Sequence, residues 1–437
     1  MKAAPRAPFG TRGIALAAFV LAFAVRLVWI LRVQSPLDAE YSDMGGYVTR
    51  AEEVLSHFTP DDPRLLTLYP YGTHCILALE FLIFGRHSTQ AIAIAHALVG
   101  AVPAACAPFL MVRLVPGLWA AALVGLVVAL WVPQICFTGF FLSEIWFSAA
   151  IALHACFAAY GVRRTGRQLG LGLVSALAFV VRPQFLLTWA IDTGARTLAL
   201  LWRRGVLRAA RGVALAALPL AVTIAVSAAR MHALSGHWGL ISESGVNRVW
   251  ADTDICKLEA SWRTPGGGQV SYWFSPPSKQ PCDADGTVTF TGFIADSAIL
   301  DKIRRNHLRG VSAWSRLTRK AHNASLLIDD NLPWPESNYR DPPWRAALQW
   351  QFRILVKFVV LPLCALGLLL GPRNATTLIL AANLATVVVA AAVFFGEARY
   401  HVPYDPFAIV LAVVGAHEVV RRVARFFRLR RYRRMRS

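Results

Sequence analysis

The sequence predicts an all-α polytopic membrane protein of about ten transmembrane helices, interrupted by one polar α+β insert. Three observations carry this. The 437 residues are 56% hydrophobic and only 16% charged, against roughly 25% charged in a soluble domain. Apolar runs near ~20 residues, the length that crosses a bilayer, recur along the chain. The net charge of +20 is gathered into short links between those runs and into one tail ending the chain, as the positive-inside rule describes. That placement argues against nucleic acid as a partner. No aromatic-rich RNA-binding motif accompanies the tail, and its arginines suit anionic lipid.

Taken in order, Lys2, Arg6 and Arg12 hold the N-terminus inside, and an apolar helix from Gly13 to Val33 exits the membrane. Its length, the internal Arg26 and the lack of a small-x-small cleavage site make it an uncleaved anchor rather than a signal peptide. Residues 34–70 form the first outer loop. Within it Gly46–Phe58 is amphipathic, with Ala51, Val54, Leu55 and Phe58 on one side, and is expected to lie on the membrane surface. Residues 71–85 are apolar but too short to span, so they are expected to dip into the interface and return. Further runs follow at 90–112, 118–132, 140–160, 169–181, 184–202 and 212–231. The arginines at 163, 164 and 167, and at 203, 204, 208 and 211, then fall inside.

Residues 232–345 are polar and rich in turn residues. A segment this long is expected to fold as a small insert, with a short strand near Val288–Phe290 and a helix over Ser297–Leu308. Runs at 346–370, 375–395 and 406–420 complete the membrane part, and 421–437 is a basic cytoplasmic tail. The chain therefore divides into an N-terminal membrane module (1–231), the non-cytoplasmic insert (232–345), C-terminal helices (346–420) and the tail. Of seven cysteines, Cys75, Cys106, Cys136, Cys156 and Cys364 sit in or beside apolar runs and read as small core residues. Cys256 and Cys282 share the insert, where an oxidising compartment permits a disulfide. Asn323-Ala324-Ser325 is a glycosylation sequon, although alanine- and arginine-rich usage points to a bacterial source, where it means little.

The candidate chemistry lies just after the first helix. Asp38, Glu40 and Asp43 stand within a few residues of the membrane surface. Asp43, Tyr47 and Ala51 are spaced by four, so they share a face if Asp43 opens a helix. Such an Asp also suits the helix dipole, and a simple capping role is the ordinary alternative. Arg26, about seven residues from the outer end of its helix, lies roughly 10 Å deep. It needs a partner, a wet cavity, or a snorkelling conformation reaching the headgroups.

These marks resemble the polyprenyl-phosphate-sugar-dependent glycosyltransferases of the GT-C superfamily, in the protein O-mannosyltransferase and aminoarabinose-transferase-like branch. The resemblance rests on Arg26 in the first helix and on Asp43, Tyr47 and Ala51. It rests also on Tyr69-Pro70-Tyr71-Gly72-Thr73-His74 running to Phe84-Gly85, and on Phe141-Leu142-Ser143-Glu144. Arg182-Pro183 and the run Glu397-Ala398-Arg399-Tyr400-His401-Val402-Pro403-Tyr404-Asp405-Pro406 complete it. It covers the N-terminal half and the last hundred residues, and nothing in the insert. Where that branch often has Asp-Glu, this chain has Asp43-Met44, which leaves Glu40 or Asp38 as the second carboxylate.

The resemblance implies transfer of a sugar from a polyprenyl-phosphate donor to a glycan, lipid or protein acceptor at the outer face of the inner (plasma) membrane. Physically, such a transfer needs a carboxylate to accept the acceptor's proton and cations for the departing phosphate. Asp43 is the expected base, with Glu40 or Asp38 as helper or metal ligand. Arg182 and Arg399 are expected at the phosphate, with Arg26 and His74 behind them, while Tyr47, Glu144 and Tyr400 line the pocket. No cofactor is required, and a divalent metal stays an open option. An envelope polysaccharide polymerase or ligase is the nearest rival. A lipid-linked sugar flippase would call for acids inside the spans and paired repeats, neither of which is evident in the sequence.

Overall fold

The computed structural model describes residues 9–33, 42–56, 62–86, 88–160, 165–204, 206–264, 266–276, 282–329 and 343–434. The N-terminal part runs α1 (Phe9–Arg32), α2 (Ser42–Ser56), α3 (Tyr71–Phe84), α4 (Thr89–Met111), α5 (Leu118–Ala129), α6 (Val132–Cys136), α7 (Ser143–Ala159), α8 (Thr165–Val181), α9 (Phe185–Arg204) and α10 (Val206–Ser235). Then come α11 (Ser244–Asp252), strands β1 (Ile255–Arg263), β2 (Gln269–Phe274) and β3 (Asp283–Thr291), α12 (Ser297–His307) and α13 (Ala313–Asp329). The chain closes with α14 (Pro343–Leu355), α15 (Leu361–Leu370), α16 (Ala375–Val393) and α17 (Asp405–Arg434).

Among the described residues, five helical stretches are long and apolar enough to cross a bilayer: Gly10–Arg32, Thr89–Met111, Ala210–Ser235, Trp350–Leu370 and Ala375–Val393. The pair Leu118–Ala129 and Val132–Gly139, bent by 46°, makes a sixth if counted as one span. This falls short of the ten expected, for physical reasons. Helices α7 and α8 have 17 residues each, below the usual spanning length. Helix α9 carries Asp192, Arg196, Arg203 and Arg204, and α17 becomes arginine-rich after Glu418. Helix α3, with 14 residues, is only ~20 Å long, and Gly85 stops it at φ +87°, its N–H donating to Phe81 O.

The core is built on small residues, which let helices approach closely. Ala18 and Ala22 of α1 meet Ala101, Ala104 and Ala107 of α4 and Ala120 of α5 in one buried cluster. The tightest crossing joins α15 to α17. A Cβ on Gly367 would collide with Leu411 O, and one on Gly415 with Leu363 O. Glu80 and Asp192 are among the carboxylates buried within this helical body, where the sequence reading finds no acid inside the spans. Glu80 Oε2 of α3 lies 3.0 Å from His96 Nε2 of α4, and Asp192 of α9 takes Arg196 Nε at 2.8 Å. Each carboxylate thus has a polar partner beside it, as burial demands.

The insert carries a three-stranded sheet in the order β2-β1-β3, antiparallel for β1–β2 and parallel for β1–β3. A register shift between Ile255 and Lys257 explains why Ile255, Leu258, Ala260 and Trp262 are the buried set instead of a strict alternation. The disulfide Cys256–Cys282 joins β1 to the residue before β3, and the expected strand and helix fall within β3 and α12. The sheet's core includes Leu68 from the first loop and Phe395 from the segment before α17. Asn323 is fully buried and its Nδ2 donates to Ala251 O, so the sequon is closed to glycosylation in the folded chain. Glycine at 396 permits that fit, because a Cβ there would strike Asn323 O.

The α15–α17 crossing yields a stability prediction. Gly415→Leu should cost about 1–3 kcal/mol through overpacking and lower the melting temperature in detergent. Gly194→Ala, with no heavy atom within 4 Å of the new Cβ, should leave it unchanged. Equal melting of all three proteins would contradict this packing.

Candidate active site

Helix α2 begins at Ser42, which puts Asp43 in its first turn, where exposed N–H groups favour an acid. The buried face of α2, Met44, Tyr47, Val48 and Ala51, packs on Leu77, Ala78 and Phe81 of α3. Tyr47 and Ala51 therefore share Asp43's side of the helix, and the stretch expected at the membrane surface is divided by burial. Ala51 is buried in protein, while Val54 and Leu55 are exposed; Phe58 lies outside the described residues. Helix α3 presses on the end of α8 through Gly72, whose Cβ would lie 2.5 Å from Val180 O. That contact brings Arg182, just past α8, beside the start of α3.

Two guanidinium groups organise the site. Arg399 Nη2 lies 2.7 Å from Asp43 Oδ2, and Arg399 Nε is 2.8 Å from Glu397 Oε2. Arg182 Nε donates to Ser143 Oγ at 2.9 Å, and its Nη2 donates to Glu144 Oε1. The Tyr400 ring lies between them, 5.3 Å from the Arg182 Cζ and 5.4 Å from the Arg399 Cζ. The Tyr69 hydroxyl donates to Asp43 Oδ1 at 3.2 Å, and its ring lies 5.2 Å from Tyr47. Arg50 of α2 lies over the Tyr69 ring, with Cζ 4.7 Å from the ring centroid.

The rest of the fold holds this set in place. Trp131 Nε1 donates to Asp405 Oδ2 at 2.6 Å, and His401 Nδ1 lies 2.7 Å from Asp405 Oδ1. Gln134 Nε2 donates to Val402 O at 3.1 Å, and Ser148 Oγ to Pro403 O at 3.2 Å. The two-proline segment is thus clamped from α6 and α7, which fixes Arg399 and Tyr400 next to it. On the insert side, the buried Asp62 accepts from Arg64 and from Trp262 Nε1 of β1. Ser242 N donates to Thr67 O at 2.9 Å, which seats the neighbouring Glu243, at the start of α11, against the same loop.

The electrostatics follow from crowding charges in a half-buried space. Burial pushes Asp43 up, but the charge and hydrogen bond of Arg399, the Tyr69 hydroxyl and Arg182 outweigh it, so its carboxyl titrates below the usual range. Glu243 is pushed up to about 7, by burial first and by the negative Asp43 second, with Arg50 and Arg399 offsetting only part. Burial also raises Glu397 against the pull of Arg399. The phenols of Tyr47, Tyr69 and Tyr400 are all pushed up by burial and stay neutral.

Of the residues expected from sequence, Asp43, Tyr47, Glu144, Arg182, Arg399 and Tyr400 come together. Arg26 makes its contacts elsewhere. It is fully buried, neither snorkelling nor beside Asp43, and its Nη1 donates to Ala22 O at 3.1 Å and to Ala129 O at 3.2 Å, at the end of α5. His74 is fully buried and has no hydrogen-bond partner. Asp38 and Glu40 lie outside the described residues. Among the described residues no group of three or more His, Cys, Asp or Glu is arranged to hold a metal ion.

Sequence reasoning missed Tyr69, Arg50, Glu397 and Glu243. Tyr69 and Glu397 stood inside segments already singled out. Arg50 is seven residues after Asp43, two helical turns along the same face, which is a usable signal. Glu243 has no local signal, because it reaches the site only through the fold of the insert.

No family model matches the chain, and no curated protein is significantly similar to it. Among solved structures it is similar to the archaeal oligosaccharyltransferase AglB from Archaeoglobus fulgidus in complex with an inhibitory peptide and a dolichol-phosphate. The identity is 12% over 97% of this chain and 52% of that one, at a TM-score of 0.49. It is also similar to the A. fulgidus oligosaccharyltransferase tethered to an acceptor peptide, at 13% identity over 94% and 50% of the two chains and a TM-score of 0.45. The chain spans about half the length of these neighbours. At that level of likeness no residue role is taken from them.

Glu243 generates a pH prediction. Its folded-state pKa, about 7, lies above the ordinary value of 4.5. The associated stability is present below that ordinary value and is lost as pH rises through the folded one. Glu243→Gln should therefore gain in melting temperature relative to the parent between about pH 5 and about pH 8. A constant difference across that range would contradict the assignment.

Proposed function

We propose that the chain is an integral membrane glycosyltransferase that moves a sugar from a polyprenyl-phosphate donor to an acceptor on the non-cytoplasmic face. The observation that carries this reading is the Asp43–Arg399 pair, set against Tyr400, Arg182 and Glu144 at the end of the helical body that meets the insert. The Cys256–Cys282 disulfide in that insert supports an oxidising, non-cytoplasmic location for the same end. The acceptor remains one of three classes: glycan, lipid or protein.

The chemistry is a single displacement. The acceptor oxygen forms a bond to the anomeric carbon as the bond from that carbon to the phosphate oxygen breaks, and the electron pair leaves on the phosphate. The acceptor proton passes to Asp43. Its depressed pKa keeps Asp43 ionised at neutral pH, so it is always ready to accept. A weak base suffices here, because the hydroxyl becomes acidic only as its bond to carbon forms. Displacement from the opposite face inverts the anomeric centre. The cationic side of the cluster stabilises the charge developing on the phosphate.

Asp43→Asn keeps the shape and the hydrogen bond from Tyr69 but removes the base. Sugar transfer in reconstituted vesicles should fall by about 10²–10⁴-fold, with insertion retained. Unchanged turnover by a correctly inserted variant would rule out the proposed role. Activity retained by Asp43→Ala would favour a polymerase or ligase that works through arginines of later outer loops.

A further inference from the structure

The cluster contains more guanidinium groups than it has free hands. Arg182 is committed through Nε and Nη2 to Ser143 and Glu144, and Arg399 through Nε and Nη2 to Glu397 and Asp43. Each keeps unused N–H donors, but its charge is already met by carboxylates, Glu144 for Arg182 and Asp43 with Glu397 for Arg399, so a phosphate there would add negative charge to an already balanced group. Arg50 is different. Its side chain is only 9% exposed, its Nη1 donates to Gly46 O at 2.7 Å, and its buried Nε has no hydrogen-bond partner. It forms no ion pair with any carboxylate among the described residues. Glu53 and Glu243 act on it electrostatically, but neither is bonded to it, so the guanidinium can take an anion directly.

The surroundings define where that anion would sit. The Arg50 guanidinium lies against the Tyr69 ring at 4.7 Å, and the Tyr69 hydroxyl is 3.2 Å from Asp43 Oδ1. An anion on Arg50 is therefore one aromatic ring away from the carboxylate that would face the acceptor. Gly46 leaves the room for this, since a Cβ there would stand 3.0 Å from Arg50 Nη1. His74 adds a second unused polar group, fully buried with both ring nitrogens unpartnered and within electrostatic reach of Arg50 and Arg230. Beyond Arg50 the surface carries the Glu52–Arg86 ion pair and a set of exposed apolar residues. Val54 and Leu55, one turn further along α2, are exposed, as are Leu79, Leu82 and Ile83 of α3.

We propose that Arg50, with His74 behind it, binds the phosphate of a polyprenyl-phosphate substrate, whose chain lies along the exposed apolar residues of α2 and α3. The inference rests on the glycosyltransferase reading and moves the phosphate from Arg182 and Arg399 to a residue left free by the network. Arg182 and Arg399 then act mainly as counter-charges that hold the carboxylates in place.

The test uses the full chain in nanodiscs. The probes are a long-chain polyprenyl phosphate, the matching polyprenol and inorganic phosphate, with binding followed by native mass spectrometry and thermal shift. Arg50→Ala should weaken binding of the polyprenyl phosphate by about 10- to 100-fold, the loss expected for charge-assisted hydrogen bonds, and leave polyprenol binding unchanged. Arg50→Lys, which keeps the charge but not the fork, should fall between, and it serves if the alanine variant does not fold. Full binding by both Arg50 variants, with loss in Arg182→Ala, would overturn the assignment while leaving the proposed function intact. No binding of the polyprenyl phosphate by the parent protein would overturn the functional reading and this inference together. Inorganic phosphate binding at Arg50 as tightly as the lipid would overturn the lipid part.

Discussion

The structure depends on one ion pair, Asp43 with Arg399, which joins residues more than 350 positions apart in the chain. Each group is about three-quarters buried, a setting in which neither charge is tolerable alone. Much of the surrounding architecture can be understood as keeping the two opposed. Gly72 seats α3 against the end of α8, the Trp131–Asp405 and Gln134–Val402 hydrogen bonds fix the segment that carries Arg399, and Gly396 lets α13 close over it. A buried pair of this kind adds little net stability over an apolar replacement. Its use lies in geometry, because it fixes a carboxylate in its ionised form at a defined place.

The same constraint divides labour within the cluster. Asp43, bound to Arg399 and to the Tyr69 hydroxyl, is held ionised and in position, while Glu243, with no such partner, titrates near neutrality. Arg182 and Arg399 have their charge met by bonded carboxylates, while Arg50 forms no ion pair among the described residues. The insert is part of this arrangement rather than an appendage. Its core runs continuously into Leu68 and Phe395, which flank Tyr69 and the Glu397–Tyr400 segment, and it supplies Glu243.

Local patterns made part of this legible in the sequence. Asp43, Tyr47 and Ala51 follow helical spacing, and their shared face survives folding. Arg182 and Arg399 follow helix-breaking or proline-bounded segments, where a charge reads as functional. The strand near Val288 and the Cys256–Cys282 link follow from composition and compartment. What failed did so for stated reasons. The count of spans assumed that apolar runs of marginal length cross independently, whereas α7 and α8 are short and packed among neighbours. Arg26 looked like a site residue because an arginine in an apolar helix demands a partner, but it found backbone carbonyls instead, including Ala129 O at the break between α5 and α6. Glu243 was invisible because no periodicity or motif links it to Asp43. Only the tertiary packing of the insert does.

The most direct test of this account is a double-mutant cycle between Asp43→Asn and Arg399→Gln, read by melting temperature and by sugar transfer in the same vesicles. If the two side chains form one half-buried pair, each single change strands a charge, and the double variant should be no less stable than either single one, a strongly non-additive result. Additive losses in the double variant would mean that Asp43 and Arg399 act independently, and would contradict the convergence on which the site is built.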